Sequence, residues 1–144
     1  MKKIIVTGGL GFIGSNLIEL LLKKKFYVIN LDKVSYSSNF YNTKEFKKYK
    51  NYKFIKFNIN EKKLKNIIFH YKPKCIFNLA AETHVDRSID GPKNFIHSNI
   101  IGTFSILEAL RFLQKKKINP KLIHISTDEV YGDIKKNYRS NEKH

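Results

Sequence analysis

Residues 7–15 read TGGLGFIGS and place glycines at three-residue intervals between two apolar segments. The preceding segment, residues 2–7, has the short continuous apolar run of a strand that is buried on both faces of a parallel sheet. The following segment, residues 12–25, has the apolar spacing of an amphipathic helix and ends in lysines, which suit the C-terminal end of the helix dipole. The sequence therefore predicts a strand, a tight turn and a helix at its start.

The three glycines of this turn have separate expected roles. Gly8 lets the strand turn tightly, Gly11 lets backbone N–H groups approach a pyrophosphate, and Gly14 lets the helix pack closely on the strand. A ligand-free glycine turn is the alternative, but Asp32 follows the second apolar segment about 20 residues later, as a dinucleotide site requires. A carboxylate there binds ribose hydroxyls and repels a 2′-phosphate, so we expect NAD rather than NADP, although Lys33 beside it weakens the repulsion.

Apolar strand segments alternate with helical segments along the rest of the chain. Further strands are predicted at residues 27–31, 53–57, 74–79 and 121–126, and further helices at residues 61–70 and 92–116. The inward residues are expected to be Phe12, Ile13, Leu17, Leu20, Leu21 and Leu22 in the first helix, and Phe95, Ile96, Ile100, Phe104, Leu107, Leu110 and Leu113 in the last. This alternation predicts one α/β domain over residues 1–144, a Rossmann-like doubly wound parallel sheet with helices on both faces.

Residues 78–88, NLAAETHVDRS, follow the fourth strand at the edge where open α/β sheets bind ligands. Ala80 and Ala81 leave room for a flat ring or a phosphate to lie on the backbone. A polar surface loop is the alternative, and His84 is as well explained by solvation as by function.

Residues 126–132, STDEVYG, follow the fifth strand at the same edge. Because adjacent carboxylates repel each other, in a water-poor site one of Asp128 and Glu129 keeps its proton and acts as an acid while the other acts as a base. Thr127 would donate a hydrogen bond to a developing alkoxide. An exposed acidic turn is the alternative.

Composition excludes several classes of protein. The formal net charge of +16 invites a nucleic-acid interpretation, but the lysines are dispersed and arginine occurs only at positions 87, 111 and 139, so we expect no nucleic-acid partner. No apolar run approaches the ~20 residues that cross a bilayer, so we expect no membrane partner. The single cysteine, Cys75, fits a small core residue in a reducing compartment, and we expect a cytoplasmic location and no metal site.

Four strings of residues carry a resemblance to one family, and they cover nearly all of the chain to residue 133. They are TGGLGFIGSN, LDKVSYSSN, NLAAETHVDRSIDGPKNFIHSNIIGT and HISTDEVYGD. Together they resemble the extended short-chain dehydrogenase/reductases, and within them the nucleotide-sugar 4,6-dehydratases that act on dTDP-glucose. The last string discriminates, because related epimerases usually carry a small residue where this chain has Asp128.

The resemblance implies particular contacts for residues of this chain. NAD contacts are implied for Phe12, Ile13, Asp32, Lys33, Ser35, Ile59, Leu79, Ala80, Ala81 and Ser98. Thr83 and Thr127 are implied to touch the sugar nucleotide. Asn58 stands where the family usually has aspartate, and its amide oxygen is still able to accept a hydrogen bond from the adenine amino group.

The resemblance also implies a lyase reaction of deoxysugar biosynthesis, as in rhamnose formation, with no net redox change. Hydride leaves C4 of the glucose, Glu129 removes the C5 proton, Asp128 protonates the departing C6 hydroxyl, and hydride returns to C6. The family's Tyr-x-x-x-Lys pair lies downstream of the acidic pair, and we expect this pair and the carboxy-terminal sugar-nucleotide domain to be absent. The chain is therefore expected to be an inactive N-terminal portion, and homodimerisation through the helix at 92–116 is implied by resemblance only.

Two alternatives remain open at this point. Another extended family member, such as a UDP-sugar 4-epimerase or decarboxylase, shares the dinucleotide motif. A non-catalytic dinucleotide-binding module would keep the glycine turn without the chemistry.

Overall fold

The computed structural model describes residues 1–134 and 138–143. The strands are β1 (Lys3–Thr7), β2 (Tyr27–Asp32), β3 (Tyr52–Lys56), β4 (Cys75–Asn78) and β5 (Lys121–His124). They form one five-stranded sheet in the order β3-β2-β1-β4-β5, and every neighbouring pair is parallel. The predicted Rossmann-like parallel sheet is confirmed.

The helices fall between the strands. They are α1 (Phe12–Lys23), α2 (Leu64–Tyr71), α3 (Val85–Asp90), α4 (Pro92–Phe95) and α5 (Gly102–Gln114). A π-helical segment, Ile96–Ile101, joins α4 to α5, and short 3₁₀ segments cover Phe40–Lys48 and Asp128–Tyr131. The segment after β4 contains α3, and the long helix predicted at residues 92–116 is present with a π-helical section near its start.

The core lies in two layers, one on each face of the sheet. Along β1, Ile4 and Val6 pack with residues of α1, whereas Ile5 packs with residues of α2 and α5. This alternation follows from the two-residue period of a strand. Helices therefore cover both faces, as predicted.

The predicted inward face of α1 is wrong in part. Phe12, Ile13 and Leu20 are exposed, whereas Ile18, which the prediction omitted, has 0% of its surface exposed. The buried stripe also includes Gly14 and Ser15. Small residues bring this helix against the turn before it, so apolar character alone misplaced the stripe.

The predicted inward face of the last helix is also wrong in part. Leu113 is buried as expected, but Ile96, Ile100, Phe104 and Leu107 are exposed. The buried residues of α5 are Gly102, Ile106, Ala109 and Leu113. The small residues of this stripe permit close packing, since a Cβ on Gly102 would lie 2.6 Å from Cδ1 of Ile59. The helix therefore has two apolar stripes, and the described residues cover only one of them.

The strand order creates a crevice beside β1. After β3 the chain crosses to the opposite side of β1 to form β4, so the order of strands reverses between β1 and β4. Ligands of open α/β sheets bind outside the carboxyl ends of the strands at such a point. The glycine turn after β1 and the segment after Asn78 meet there.

Candidate functional site

The turn after β1 has a backbone that requires glycine. Gly8 has a φ of +68°, and its N–H donates to the carbonyl of Leu31 at 2.9 Å. A Cβ on Gly14 would lie 2.4 Å from the carbonyl oxygen of Gly8. The turn is therefore tight at Gly8, and the start of α1 packs directly against it at Gly14.

Gly11 differs from these two glycines because a Cβ there would make one tight contact and no outright clash. Its Cβ would meet only the Gly8 carbonyl oxygen within 4 Å, at 3.3 Å, and Gly11 lines the cleft above the turn. Gly11 caps α1, and the side chains of Phe12 and Ile13 in the first turn are exposed. The N–H groups of a first helical turn have no partner inside the helix, so an anion fits at this end.

Asp32 ties the end of β2 to the glycine turn. Its carboxylate accepts hydrogen bonds from Leu10 N–H at 3.0 Å, from Val34 N–H at 2.8 Å and from Ser38 Oγ at 2.9 Å. The residue is buried and lines the cleft. An ionised carboxylate has about four acceptor positions, so it retains capacity for one further donor, such as a ribose hydroxyl.

Lys33 forms an ion pair with Glu82 and not with the adjacent Asp32. Its Nζ donates to Glu82 Oε1 at 2.7 Å and to Ser98 Oγ at 2.8 Å. Glu82 is buried, and Asn99 holds its backbone, with Glu82 N–H donating to Asn99 Oδ1 and Asn99 Nδ2 donating to the Glu82 carbonyl, both at 2.9 Å. Glu82 was not predicted as a site residue, because nothing local in NLAAETHVDRS indicates a partner 49 residues away.

A cleft lies at the switch point, above the glycine turn and the end of β2. Most residues expected to contact a dinucleotide line it: Gly8, Gly11, Asp32, Lys33, Ser35, Asn58, Ile59, Leu79, Ala80, Ala81 and Ser98. The remaining three are Phe12, Ile13 and Gly14. Leu31, Ser37, Ser38 and Phe57 also line it and were missed. The serine-rich run YSSN after Asp32 was the available signal for Ser37 and Ser38.

A series of polar side chains joins the carboxyl ends of three strands, and it is buried at Thr7 and Asn78 and exposed at His124. Thr7 Oγ1 donates to Asn78 Oδ1 at 2.6 Å, and Asn78 Nδ2 lies 3.0 Å from His124 Nδ1. Thr7 Oγ1 also accepts the N–H of Ala80 at 3.3 Å. This series holds the segment after β4 against β1 and links it to β5.

The acidic segment after β5 lies outside the cleft. Thr127 Oγ1 accepts the N–H of Glu129 and donates to Glu129 Oε2, both at 3.1 Å. Thr127, Asp128 and Glu129 are all exposed, and so is Thr83. The described residues therefore do not form the water-poor environment on which the acid–base interpretation of this pair depends.

The sequence does contain a Tyr-x-x-x-Lys spacing after the acidic pair, because Lys135 stands four residues after Tyr131. The expectation that this spacing is absent is therefore wrong. On a helix this spacing places two side chains on one face. Tyr131 instead ends a one-turn 3₁₀ segment, and Gly132 has φ +67° and ψ −161°, so no helix continues from it. Lys135 lies outside the described residues.

Comparison with known proteins places the chain in a family. The model of the family described as GDP-mannose 4,6-dehydratase matches residues 5–144. The chain belongs to this family. Its relatives include a dTDP-glucose 4,6-dehydratase of Escherichia coli, 43% identical over 92% of this chain and 38% of the relative. A probable dTDP-glucose 4,6-dehydratase of Sinorhizobium fredii is 41% identical over 92% of this chain and 39% of the relative.

A solved structure of the same kind has a similar fold. It is the dTDP-glucose 4,6-dehydratase of Bacillus anthracis in complex with NAD, with a TM-score of 0.82 and 38% identity, and the match covers 99% of this chain and 43% of that one. The resemblance predicted from the sequence is confirmed. The chain spans about two fifths of the length of the curated relatives it matches.

Metal-binding clusters and membrane-spanning helices are both absent from residues 1–134 and 138–143. No group of three or more His, Cys, Asp or Glu side chains is arranged to hold a metal ion. Within the same residues, no helix has the length and apolar character needed to span a membrane.

Proposed function

We propose that residues 1–144 form the NAD-binding portion of a dTDP-glucose 4,6-dehydratase, which converts dTDP-glucose to dTDP-4-keto-6-deoxyglucose. The observation that carries the proposal is the cleft at the switch point, which brings the glycine turn, Asp32 and the segment after β4 together. The relatives named as dTDP-glucose 4,6-dehydratases support the choice of reaction within the family.

The residues of the cleft fit NAD. Gly11 leaves space that a side chain would fill, next to the N–H groups of the first turn of α1, so a diphosphate is accommodated there. Asp32 has acceptor capacity left for a ribose hydroxyl, and the amide of Asn58 provides an acceptor for an adenine amino group. Bound NAD supplies the acceptor and donor of hydride.

The acidic segment after β5 supplies proton transfer in this proposal. Glu129 accepts the proton from C5 of the oxidised sugar, and Asp128 donates a proton to the C6 hydroxyl, which departs as water. Thr127 and Thr83 bind the sugar nucleotide. Because Asp128 and Glu129 are exposed, we expect no turnover from the 144 residues alone.

The test combines binding and turnover on one sample. Calorimetric titration of the 144-residue chain with NAD is expected to show saturable 1:1 binding, and incubation of the same sample with NAD and dTDP-glucose is expected to yield no 4-keto-6-deoxy product. Absence of NAD binding by a folded sample contradicts the proposal. A longer protein that carries these residues is expected to form the product, whereas a UDP-sugar 4-epimerase or decarboxylase forms none from dTDP-glucose.

We propose further that two copies associate through the uncovered stripe of α5 and the segment before it. This stripe comprises Ile96, Ile100, Phe104 and Leu107, each at least 48% exposed. A contiguous exposed apolar surface of this kind marks an interaction site more often than an isolated residue does. Sedimentation velocity is expected to show a dimer that Phe104→Lys converts to a monomer, and a wild-type monomer at high concentration contradicts the proposal.

The location and remaining partners are also proposals. We propose a cytoplasmic location without a nucleic-acid or membrane partner, supported by the single cysteine and by lysines that are spread along the whole chain. Steeply salt-dependent binding to duplex DNA or RNA would contradict the second part.

A further inference from the structure

We infer that Glu82 is a positioning residue that sets dinucleotide specificity, because it binds the Lys33 ammonium and keeps that cation from serving a 2′-phosphate. The inference rests on the proposed NAD function and deepens it. It concerns a residue that is outside the glycine turn and has no expected contact with the cofactor.

Glu82 is more firmly held by the structure than Lys33 is. The Glu82 side chain is 7% exposed, whereas the Lys33 side chain is 37% exposed. The two hydrogen bonds to Asn99 fix the backbone of Glu82. The carboxylate is therefore the fixed member of the pair, and the long flexible lysine side chain is drawn to it.

Lys33 retains only one N–H donor for a ligand. An ammonium group has three donors, and Glu82 Oε1 and Ser98 Oγ accept two of them. Among the described residues that line the cleft, Lys33 is the only basic one. Its neighbour Asp32 sits where a carboxylate binds the ribose, so Lys33 is the cation best placed to accommodate a 2′-phosphate.

The charge balance of this corner depends on Glu82. Asp32, Lys33 and Glu82 together carry one formal negative charge, which repels the phosphate that distinguishes NADP from NAD. Replacement of Glu82 by glutamine makes the corner formally neutral and leaves the ammonium without an anionic partner. One unit charge at several ångströms, at an effective dielectric constant of about 20 and after salt screening, changes affinity by on the order of tenfold.

The experiment measures Kd for NAD and for NADP by calorimetry on the 144-residue chain at low salt. Glu82→Gln is expected to lower the ratio of Kd for NADP to Kd for NAD about tenfold, and the effect is expected to shrink at 0.5 M salt, a response that a merely structural role would not produce. Glu108→Gln is the matched control, since it removes the same charge from an exposed ion pair with Arg111 on α5. An unchanged ratio in Glu82→Gln, or an equal change in Glu108→Gln, overturns the inference.

A second variant removes both charges and therefore covers the case in which Glu82→Gln is unstable because the Lys33 ammonium has lost its anionic partner. Lys33→Met with Glu82→Gln removes the whole pair, and its ratio is expected to stay within about twofold of wild type, because the pair is neutral in both proteins. A ratio about tenfold higher would show that Lys33 already serves the phosphate in the wild type, which overturns the inference. A folded wild-type chain that binds neither dinucleotide refutes the proposed function instead.

Discussion

Replacement of Gly11 by valine separates the ligand role of the glycine turn from its structural role. The backbone at Gly11 is extended, with φ −73° and ψ 170°, and a Cβ there meets only the Gly8 carbonyl oxygen, at 3.3 Å. The cost in folding free energy is therefore about 1 kcal/mol, the usual loss when a poor residue replaces glycine at a helix N-cap. The branched side chain, however, occupies the part of the cleft next to the first turn of α1.

The loss of NAD affinity follows from the hydrogen bonds that a displaced diphosphate gives up. Each hydrogen bond to a charged group contributes about 1.5–3 kcal/mol. The loss of two such bonds weakens binding by at least about 100-fold. Calorimetry measures this affinity, and thermal unfolding followed by circular dichroism measures the stability of the same variant.

Two other glycines provide the comparison. Gly91→Val is the matched control, because Gly91 also caps a helix, does not line the cleft, and has only the Arg87 carbonyl oxygen, at 3.7 Å, near its Cβ. Gly14→Ala is expected to lower stability by about 1–3 kcal/mol, because its Cβ lies 2.4 Å from the Gly8 carbonyl oxygen. Unchanged NAD affinity in Gly11→Val would show that the diphosphate lies elsewhere and would refute the reasoning.

Three further predictions test the fold. Ile18→Ala is expected to cost about 2–5 kcal/mol in urea unfolding and Leu20→Ala less than about 1 kcal/mol, since Ile18 is 0% exposed and Leu20 is 50% exposed; equal costs would contradict the observed face of α1. Tyr52→Phe is expected to cost about 1–3 kcal/mol at pH 7, because it removes the acceptor of the Asn30 amide at 3.0 Å. Burial raises the pKa of Tyr52, so the contribution of its neutral hydroxyl to the free energy of unfolding is complete below about pH 10 and is lost as pH rises further. The difference in stability between wild type and Tyr52→Phe is therefore expected to shrink above pH 10, and a constant difference contradicts this. Burial also raises the pKa of the Cys75 thiol, so iodoacetamide is expected to react more slowly with the folded chain at pH 8 than with the chain in urea, and equal rates would show an accessible thiolate.

The fold was largely predictable because its signals are local. A continuous apolar run such as Ile4–Val6 followed by a glycine turn predicts a buried strand and its exit, and the alternation with helices then predicts the parallel order. The helix faces were less predictable, because burial there depends on small residues as well as apolar ones. Gly102 and Ala109 lie on the buried stripe of α5, while the larger Phe104 and Leu107 lie outside it.

The candidate site was predictable where a residue follows a strand, and it was missed where a contact joins distant segments. Asp32 and Ala80 could be assigned to the cleft because parallel strands end at one edge. The pairing of Lys33 with Glu82, and the chain from Thr7 through Asn78 to His124, depend on which segments the fold brings together. The exposure of Glu129 could likewise not be predicted from residue types, because an Asp-Glu pair has the same sequence in a closed site and on an exposed surface.

The three hydrogen bonds that Asp32 accepts constrain how this scaffold would change its cofactor during evolution or redesign. Exchanging an acidic residue at the end of β2 is an obvious route toward NADP, but here the exchange would also release Leu10 N–H and the loop that carries Ser38. A protein that evolved toward NADP by first replacing Asp32 would thus disturb its own glycine turn. Substitutions at positions that make fewer hydrogen bonds would have to come first, and Asp32 would be among the last residues to be replaced.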